Sequence, residues 1–153
     1  MKINWTRVIL GGLLAGLIIN VIEFLVNGLL LGTMWADAMK ALSRTAPTDL
    51  LPQIAFNVAG FALGILALWF YAHLRAIYGP GPRTAVITGI AVWIPGSLLA
   101  MVGPAALHLF RYRLVAIGVV VGLVEIVLGT VAGAWLYKEC EAPAASKSTA
   151  TAA

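Results

Sequence analysis

The sequence predicts an all-α integral membrane protein, a bundle of four membrane-spanning helices with a short interfacial helix between the first and second. Three observations lead to this fold class. The chain has 153 residues, of which 61% are hydrophobic and only 10% are charged, whereas soluble domains are usually about 25% charged. Its mean hydropathy is +0.98. The apolar residues also fall into four runs, each near the roughly 20 residues needed to cross a bilayer.

The four runs place the spanning helices at about residues 6–32, 51–72, 84–103 and 114–136. The first run is too long for a signal peptide and no small-residue cleavage site follows it, so we expect it to remain as a helix. In the third run, Pro95 removes one backbone hydrogen bond and predicts a bend. We expect one transmembrane domain over 1–139 and a disordered tail over 140–153, where small and polar residues predominate.

The connection after the first helix contains a second, shorter pattern. Trp35, Ala38, Met39 and Leu42 recur at helical spacing, while Asp37, Lys40 and Arg44 fall on the opposite side. An amphipathic segment of this kind is typical of a helix that lies in the membrane interface.

Basic residues suggest the orientation of the chain. With four crossings both termini lie on one side, and the positive-inside rule places the more basic side in the cytoplasm. The terminal side carries six basic residues against four on the other side: Lys2, Arg7, Arg75, Arg83, Lys138 and Lys147 against Lys40, Arg44, Arg111 and Arg113. We therefore expect a multi-pass protein of the bacterial inner membrane with both termini in the cytoplasm.

Polar residues within the apolar runs share helix faces with glycines. Taking Glu23 as zero and turning about 100° per residue, Gly16 falls at about 20°, Asn27 at about 40° and Asn20 at about 60°. Glycines spaced by four residues let helices approach closely. The sequence holds five such pairs: Gly12/Gly16, Gly28/Gly32, Gly60/Gly64, Gly118/Gly122 and Gly129/Gly133. We infer that the polar residues face protein, and that glycine faces offer contacts within the chain, to a second copy or to another membrane protein.

Five of these polar residues form a candidate cluster: the acids Glu23 and Glu125, as proton- or ion-handling groups, with Asn20, Asn27 and Asn57 around them. No lysine, arginine or histidine lies at the same depth, so we expect at least one acid to be protonated at neutral pH. Polar side chains can simply join helices by hydrogen bonds, but intramembrane acids also mark transport pathways. We favour a structural or partner-interaction role, and the alternative is a proton- or cation-coupled small transporter.

A second candidate site precedes the last helix. His108, Arg111 and Arg113 form a small basic patch that would suit a lipid phosphate or would serve only to set topology. The sequence lacks the metalloprotease, P-loop and nucleophile-elbow motifs. We therefore expect no enzyme activity, no cofactor, no metal and no nucleic-acid partner. The lipid bilayer is the expected environment.

The layout resembles a family of small four-helix bacterial membrane proteins of unknown function. The likeness rests on Leu31-Gly-Thr-Met-Trp35 after the first helix and on the paired segments Thr88-Gly-Ile-Ala-Val-Trp93 and Gly129-Thr-Val-Ala-Gly-Ala-Trp135. The chain is more loosely similar to the small multidrug resistance transporters, which also have four helices and a carboxylate in the first. That second likeness implies a dimer that exchanges protons for cations, with Glu23 as the carboxylate.

Overall fold

A computed structural model describes residues 3–44 and 50–137. Within these ranges the chain is helical and contains no strand. In chain order the elements are α1 (Trp5–Glu23) with a π-helical continuation (Phe24–Leu30), α2 (Gly32–Ala41), α3 (Leu51–Tyr78), α4 (Pro82–Trp93) with a second π-helical continuation (Ile94–Leu98), α5 (Val102–Ala106) and α6 (Tyr112–Leu136). The predicted all-α class is confirmed, and the predicted disordered tail lies outside the described residues.

Three of the described helices are long and apolar enough to cross a membrane: Trp5–Leu30, Leu51–Tyr78 and Tyr112–Leu136, with mean hydropathies of 2.3, 1.9 and 2.6. They correspond to three of the four predicted spans. The helix predicted over 51–72 continues to Tyr78, because neither glycine nor proline occurs between Ala72 and Gly79 to interrupt it. It ends at Gly79, whose φ of +82° is unfavourable for other residues.

The segment predicted as one helix over 84–103 is instead divided. The α-helical part ends at Trp93, a π-helical turn follows, and α5 starts only at Val102. Pro95 has no N–H and its ring would clash with a carbonyl one turn earlier. The chain responds with a wider turn, in which the N–H of Leu99 donates to the carbonyl of Ile94 at 2.8 Å. The interruption therefore lies where the proline predicts a bend.

The short helix expected after the first span is present as α2. Trp35, Ala38 and Met39 on its apolar side are half-buried, and Asp37 on the other side is exposed. Leu42, just beyond the helix, is 38% exposed. The helix and its division into two faces agree with the amphipathic pattern.

Glycines decide how closely the long helices pack. α1 lies between α3 and α6. A Cβ atom at Gly64 of α3 would overlap the backbone of Gly12 and Gly16, and one at Gly133 of α6 would overlap the backbone of Gly11. Contacts this short are possible only where both helices present small residues.

The glycine prediction is confirmed for three of the five pairs. Gly12/Gly16, Gly60/Gly64 and Gly129/Gly133 all lie at helix–helix contacts. Gly28/Gly32 makes no such contact among the described residues: a Cβ at Gly28 would meet only the ring of Phe24 and one at Gly32 would meet nothing within 4 Å, so a contact of this pair with a partner stays a prediction. Gly28 is exposed within the first π-helical segment, and Gly32 is half-buried at the start of α2. The fifth pair is divided, because a Cβ at Gly122 would overlap the side chain of Ser97 and one at Gly118 would meet nothing within 4 Å.

Candidate functional site: a cavity beside two carboxyl groups

Glu23 is the last residue of α1 and directly precedes the first π-helical segment. In that segment the N–H of Leu31 donates to the carbonyl of Val26, five residues earlier, at 2.8 Å. The wider turn changes the direction of every later side chain relative to an ideal α-helix. The angular position calculated for Asn27 from 100° per residue therefore does not apply beyond Glu23.

Glu125 lies at the middle of α6 and is only 7% exposed. Its Oε2 atom is buried and accepts no hydrogen bond from any residue that the structure describes. A buried polar atom without a partner is uncommon in a folded protein and calls for an explanation. Protonation of this carboxyl group, or a donor such as a bound water molecule, would satisfy the atom.

The two carboxyl groups meet although they are 102 positions apart in the sequence. Glu23 and Glu125 line the same cavity, and their carboxyl groups are close enough to interact electrostatically. Two ionised carboxylates can only accept hydrogen bonds, so a bond between them requires one shared proton. The structure thus brings together the two acids that the sequence singles out.

A cavity of about 170 Å³ opens beside this pair. Along α6 it extends from Leu114 to Glu125, which corresponds to about 16 Å at the rise of an α-helix. It therefore runs from the end of the bundle near α2 to the mid-height of α6. Among the described residues that line it there is no lysine, arginine or histidine, and only the two acids are ionisable.

Both π-helical segments form walls of the cavity. Asn27 comes from the first, and Gly96 and Ser97 come from the second. Ser97 packs directly on Gly122 of α6, where a Cβ atom would overlap the serine side chain. Because π-helical turns often occur at functional sites, the position of both segments at one cavity is a second indication of function, independent of the acids.

Trp93 holds the second π-helical segment against α6. Its indole Nε1 donates to the backbone carbonyl of Val119 at 2.9 Å, and its ring edge lies 3.7 Å from where a Cβ on Gly122 would stand. This contact explains why a tryptophan lies in the middle of an apolar segment, away from the boundary positions that tryptophan usually prefers.

Trp35 of α2 forms part of the rim. Its indole Nε1 donates to Oδ1 of Asn27 at 3.0 Å, and its ring meets that of Phe110 edge-on, with centroids 5.4 Å apart. One side chain therefore connects α2, the first π-helical segment and the connection that precedes α6. The sequence placed Trp35 on the apolar side of the short amphipathic helix and suggested no role for Phe110.

Asn20 and Asn57 lie elsewhere. Nδ2 of Asn20 donates to the backbone carbonyl of Asn57 at 3.1 Å, across the contact between α1 and α3. The side chain of Asn57 is exposed and donates to the carbonyl of Gln53 at 2.7 Å. The single five-residue cluster is therefore divided, with Glu23, Asn27 and Glu125 at the cavity, and the inward direction predicted for Asn57 is wrong.

Ser97 is a cavity residue that the sequence reasoning missed. It is a polar residue in an apolar segment and follows Pro95-Gly96 directly. These two features of the sequence could have identified it as a residue beside a helix interruption. Trp35 and Phe110 gave no comparable signal, because their meeting depends on how α2 folds back toward the start of α6.

The basic patch before α6 is exposed. His108 has a φ of +52° and shares a 2.7 Å hydrogen bond with the hydroxyl of Tyr112. Arg111 caps α6 in an extended conformation, and Arg113 is exposed in the first turn. The three residues are close in the chain and accessible, and their binding of a lipid phosphate stays a prediction.

No family model, curated protein or solved structure matches this chain. The class to which the structure points is a helical protein with three described helices suited to crossing a membrane. Among the described residues, no three histidine, cysteine, aspartate or glutamate side chains are grouped as a metal site.

Proposed function

We propose that the chain is a membrane protein that binds a proton or a small cation at Glu23 and Glu125, as part of a coupled transport step. The observation that carries this proposal is the cavity that leads to a carboxyl pair without a basic partner. A purely structural pair would be expected to be fully packed, because empty space beside buried polar groups loses both van der Waals contact and hydrogen bonds.

The chemistry of the pair suits exchange between a proton and a cation. When the site is empty, one shared proton allows the two carboxyl groups to hydrogen-bond. When a cation enters, two negative charges can compensate it, and the shared proton leaves. Such competition makes binding of the proton and of the cation mutually exclusive, and it becomes exchange when the site opens alternately to the two sides of the membrane.

The proposed topology has four crossings, with the fourth made by α4, its π-helical continuation and α5. This composite segment spans 82–106, and α4 packs against α6. Non-helical or irregular backbone is tolerated within a bilayer where it is covered by protein or lines a cavity. The second π-helical segment does line one. We place both termini in the cytoplasm and the cavity mouth on the other side of the bacterial inner membrane.

A structural or partner-interaction role is the second candidate. It is supported by the hydrogen bond from Asn20 to the backbone of α3 and by the glycine contacts around it. These features join α1 to α3 and involve neither acid. The two roles are therefore carried by different residues and can be tested separately.

The test is ion flux in liposomes with the purified protein. We expect Glu23→Gln and Glu125→Gln to reduce proton-coupled cation flux at least tenfold, because an amide cannot exchange a proton or compensate a cation. Asp37→Asn is the matched control, since it makes the same chemical change on the exposed side of α2 and should leave the flux unchanged. Flux that persists in both folded glutamine variants, or wild-type protein without flux for any monovalent cation, would reject transport in favour of the structural role.

A further inference from the structure

We propose that the outer face of α3 around Asn57 is the contact surface of a homodimer, in which the Asn57 side chains of two copies hydrogen-bond to each other. The proposal does not depend on what the cavity binds. Asn57 is a polar side chain on a surface that lipid would otherwise contact.

The depth of Asn57 follows from its contact with α1. Its backbone carbonyl accepts from Asn20, which lies about 4 Å past the middle of Trp5–Leu30, and Asn57 itself lies about 11 Å before the middle of Leu51–Tyr78. Both distances are shorter than half of the roughly 30 Å thickness of the hydrocarbon core. An exposed side chain at this depth faces the hydrocarbon core. There is no water in that region to pair with an amide.

The Asn57 amide is only partly satisfied. Nδ2 donates one hydrogen bond to the carbonyl of Gln53. An asparagine side chain offers two donors and an acceptor oxygen, and within residues 3–44 and 50–137 the oxygen has no partner. A neighbouring protein surface in the bilayer would supply a hydrogen-bond donor for this oxygen, which lipid tails cannot do.

A second copy is the occupant that fits this surface. Asparagine is both donor and acceptor, so two identical side chains facing each other across a two-fold axis form a reciprocal pair. The surrounding groove is formed by Leu50, Gln53, Ile54, Val58 and Phe61. Among the described residues that form it none is charged, so these side chains would meet those of a second copy without like-charge repulsion.

The spacing along α3 also suits helix–helix association. Leu50, Ile54 and Asn57 follow one another at intervals of four and three residues, the repeat of a packed helix seam. Leu50 and Ile54 are 70% and 56% exposed. A single asparagine in such an apolar seam determines the register of the two helices.

The glycine faces inside the bundle do not compete for this role. Three of the five glycine pairs are already used between α1, α3 and α6. A partner that approached through them would have to separate the bundle. The Asn57 face is free of such contacts, which is why we place the dimer there.

Disulfide cross-linking provides a direct test. Cys140 is the only cysteine, so Asn57→Cys is made in a Cys140→Ser background and oxidised in liposomes at high lipid excess. We expect cross-linked dimers at position 57. The matched control is Val120→Cys, on the exposed side of α6 where Val120 is 60% exposed, and it should not cross-link. Equal cross-linking at both positions would overturn the proposed surface.

The strength of the contact is measured by single-molecule photobleaching across a range of protein-to-lipid ratios. We expect Asn57→Leu to raise the dimer dissociation constant about tenfold, because two interhelical hydrogen bonds are lost. The fold should persist, since Asn20 bonds to the backbone of Asn57 and not to its side chain. A wild-type protein that is monomeric at every ratio, or an unchanged dissociation constant in the variant, would overturn the proposal.

Discussion

At the scale of single residues, the smallest side chains have the largest structural effect. Gly64 lies where α3 meets α1, and there is no space at its α-carbon for a methyl group because the facing atoms belong to the backbone of Gly12 and Gly16. A backbone cannot rotate away as a side chain can. The position therefore requires glycine for close approach, although its own helical conformation is open to any residue.

We expect Gly64→Ala to destabilise the fold by about 1–3 kcal/mol, the usual cost of adding volume to a packed site. Gly118→Ala is the control, because a Cβ there would meet nothing within 4 Å and alanine favours a helix over glycine by about 1 kcal/mol. The measurement is thermal unfolding of both variants in the same detergent. A melting temperature for Gly64→Ala equal to that of the wild type would contradict the close contact.

At the scale of elements, α2 is attached to the rest of the molecule mainly through Trp35. The indole binds Asn27 in the first π-helical segment and packs on Phe110 before α6. α2 is ten residues long, which is short for a helix to be stable alone. Its position at the cavity rim therefore depends on these two contacts.

Replacing Trp35 by phenylalanine tests this attachment. The variant keeps an aromatic ring but loses a hydrogen bond worth about 1 kcal/mol, so we expect amide exchange in Gly32–Ala41 to become about fivefold faster. Exchange in α3 should not change. The same substitution at Trp135, which is 88% exposed, is the control and should change neither helix. Identical exchange in Trp35→Phe and wild type would show that α2 is held by other contacts.

At the scale of the whole molecule, the number of crossings decides where the cavity opens. α1, α3 and α6 each reach the length of a span, and three crossings alone would leave the termini on opposite sides. If 82–106 completes a fourth crossing, the termini lie together. The divided segment between α3 and α6 therefore determines the topology.

Thiol labelling distinguishes these arrangements. With four crossings we expect Cys140 and an introduced Ile3→Cys to react with a membrane-impermeant maleimide only after the cells are permeabilised. An introduced Leu42→Cys should react in intact cells. The position 3 and position 42 variants are made in a Cys140→Ser background so that each protein has one thiol. Labelling of positions 3 and 140 from opposite sides would rule out the fourth crossing.

The sequence by itself determined the helical class, the approximate ends of three long helices and the place of the amphipathic α2. These properties depend on local hydrophobicity and spacing, which a single stretch of chain expresses without its neighbours. The same reasoning singled out Glu23 and Glu125, because a charged side chain within an apolar segment costs free energy whichever direction the helix faces.

Only the tertiary structure decided which polar residues meet. Two π-helical turns changed the direction of the residues after Glu23 and after Trp93, so angles calculated for a regular helix no longer held. The contact of α1 with α3 on one side and α6 on the other then separated Asn20 and Asn57 from the two acids. The cavity also depends on tertiary packing. Its walls come from α1, α2, α3, α6 and both π-helical segments, which are distant in the sequence and approach one another only in the folded bundle.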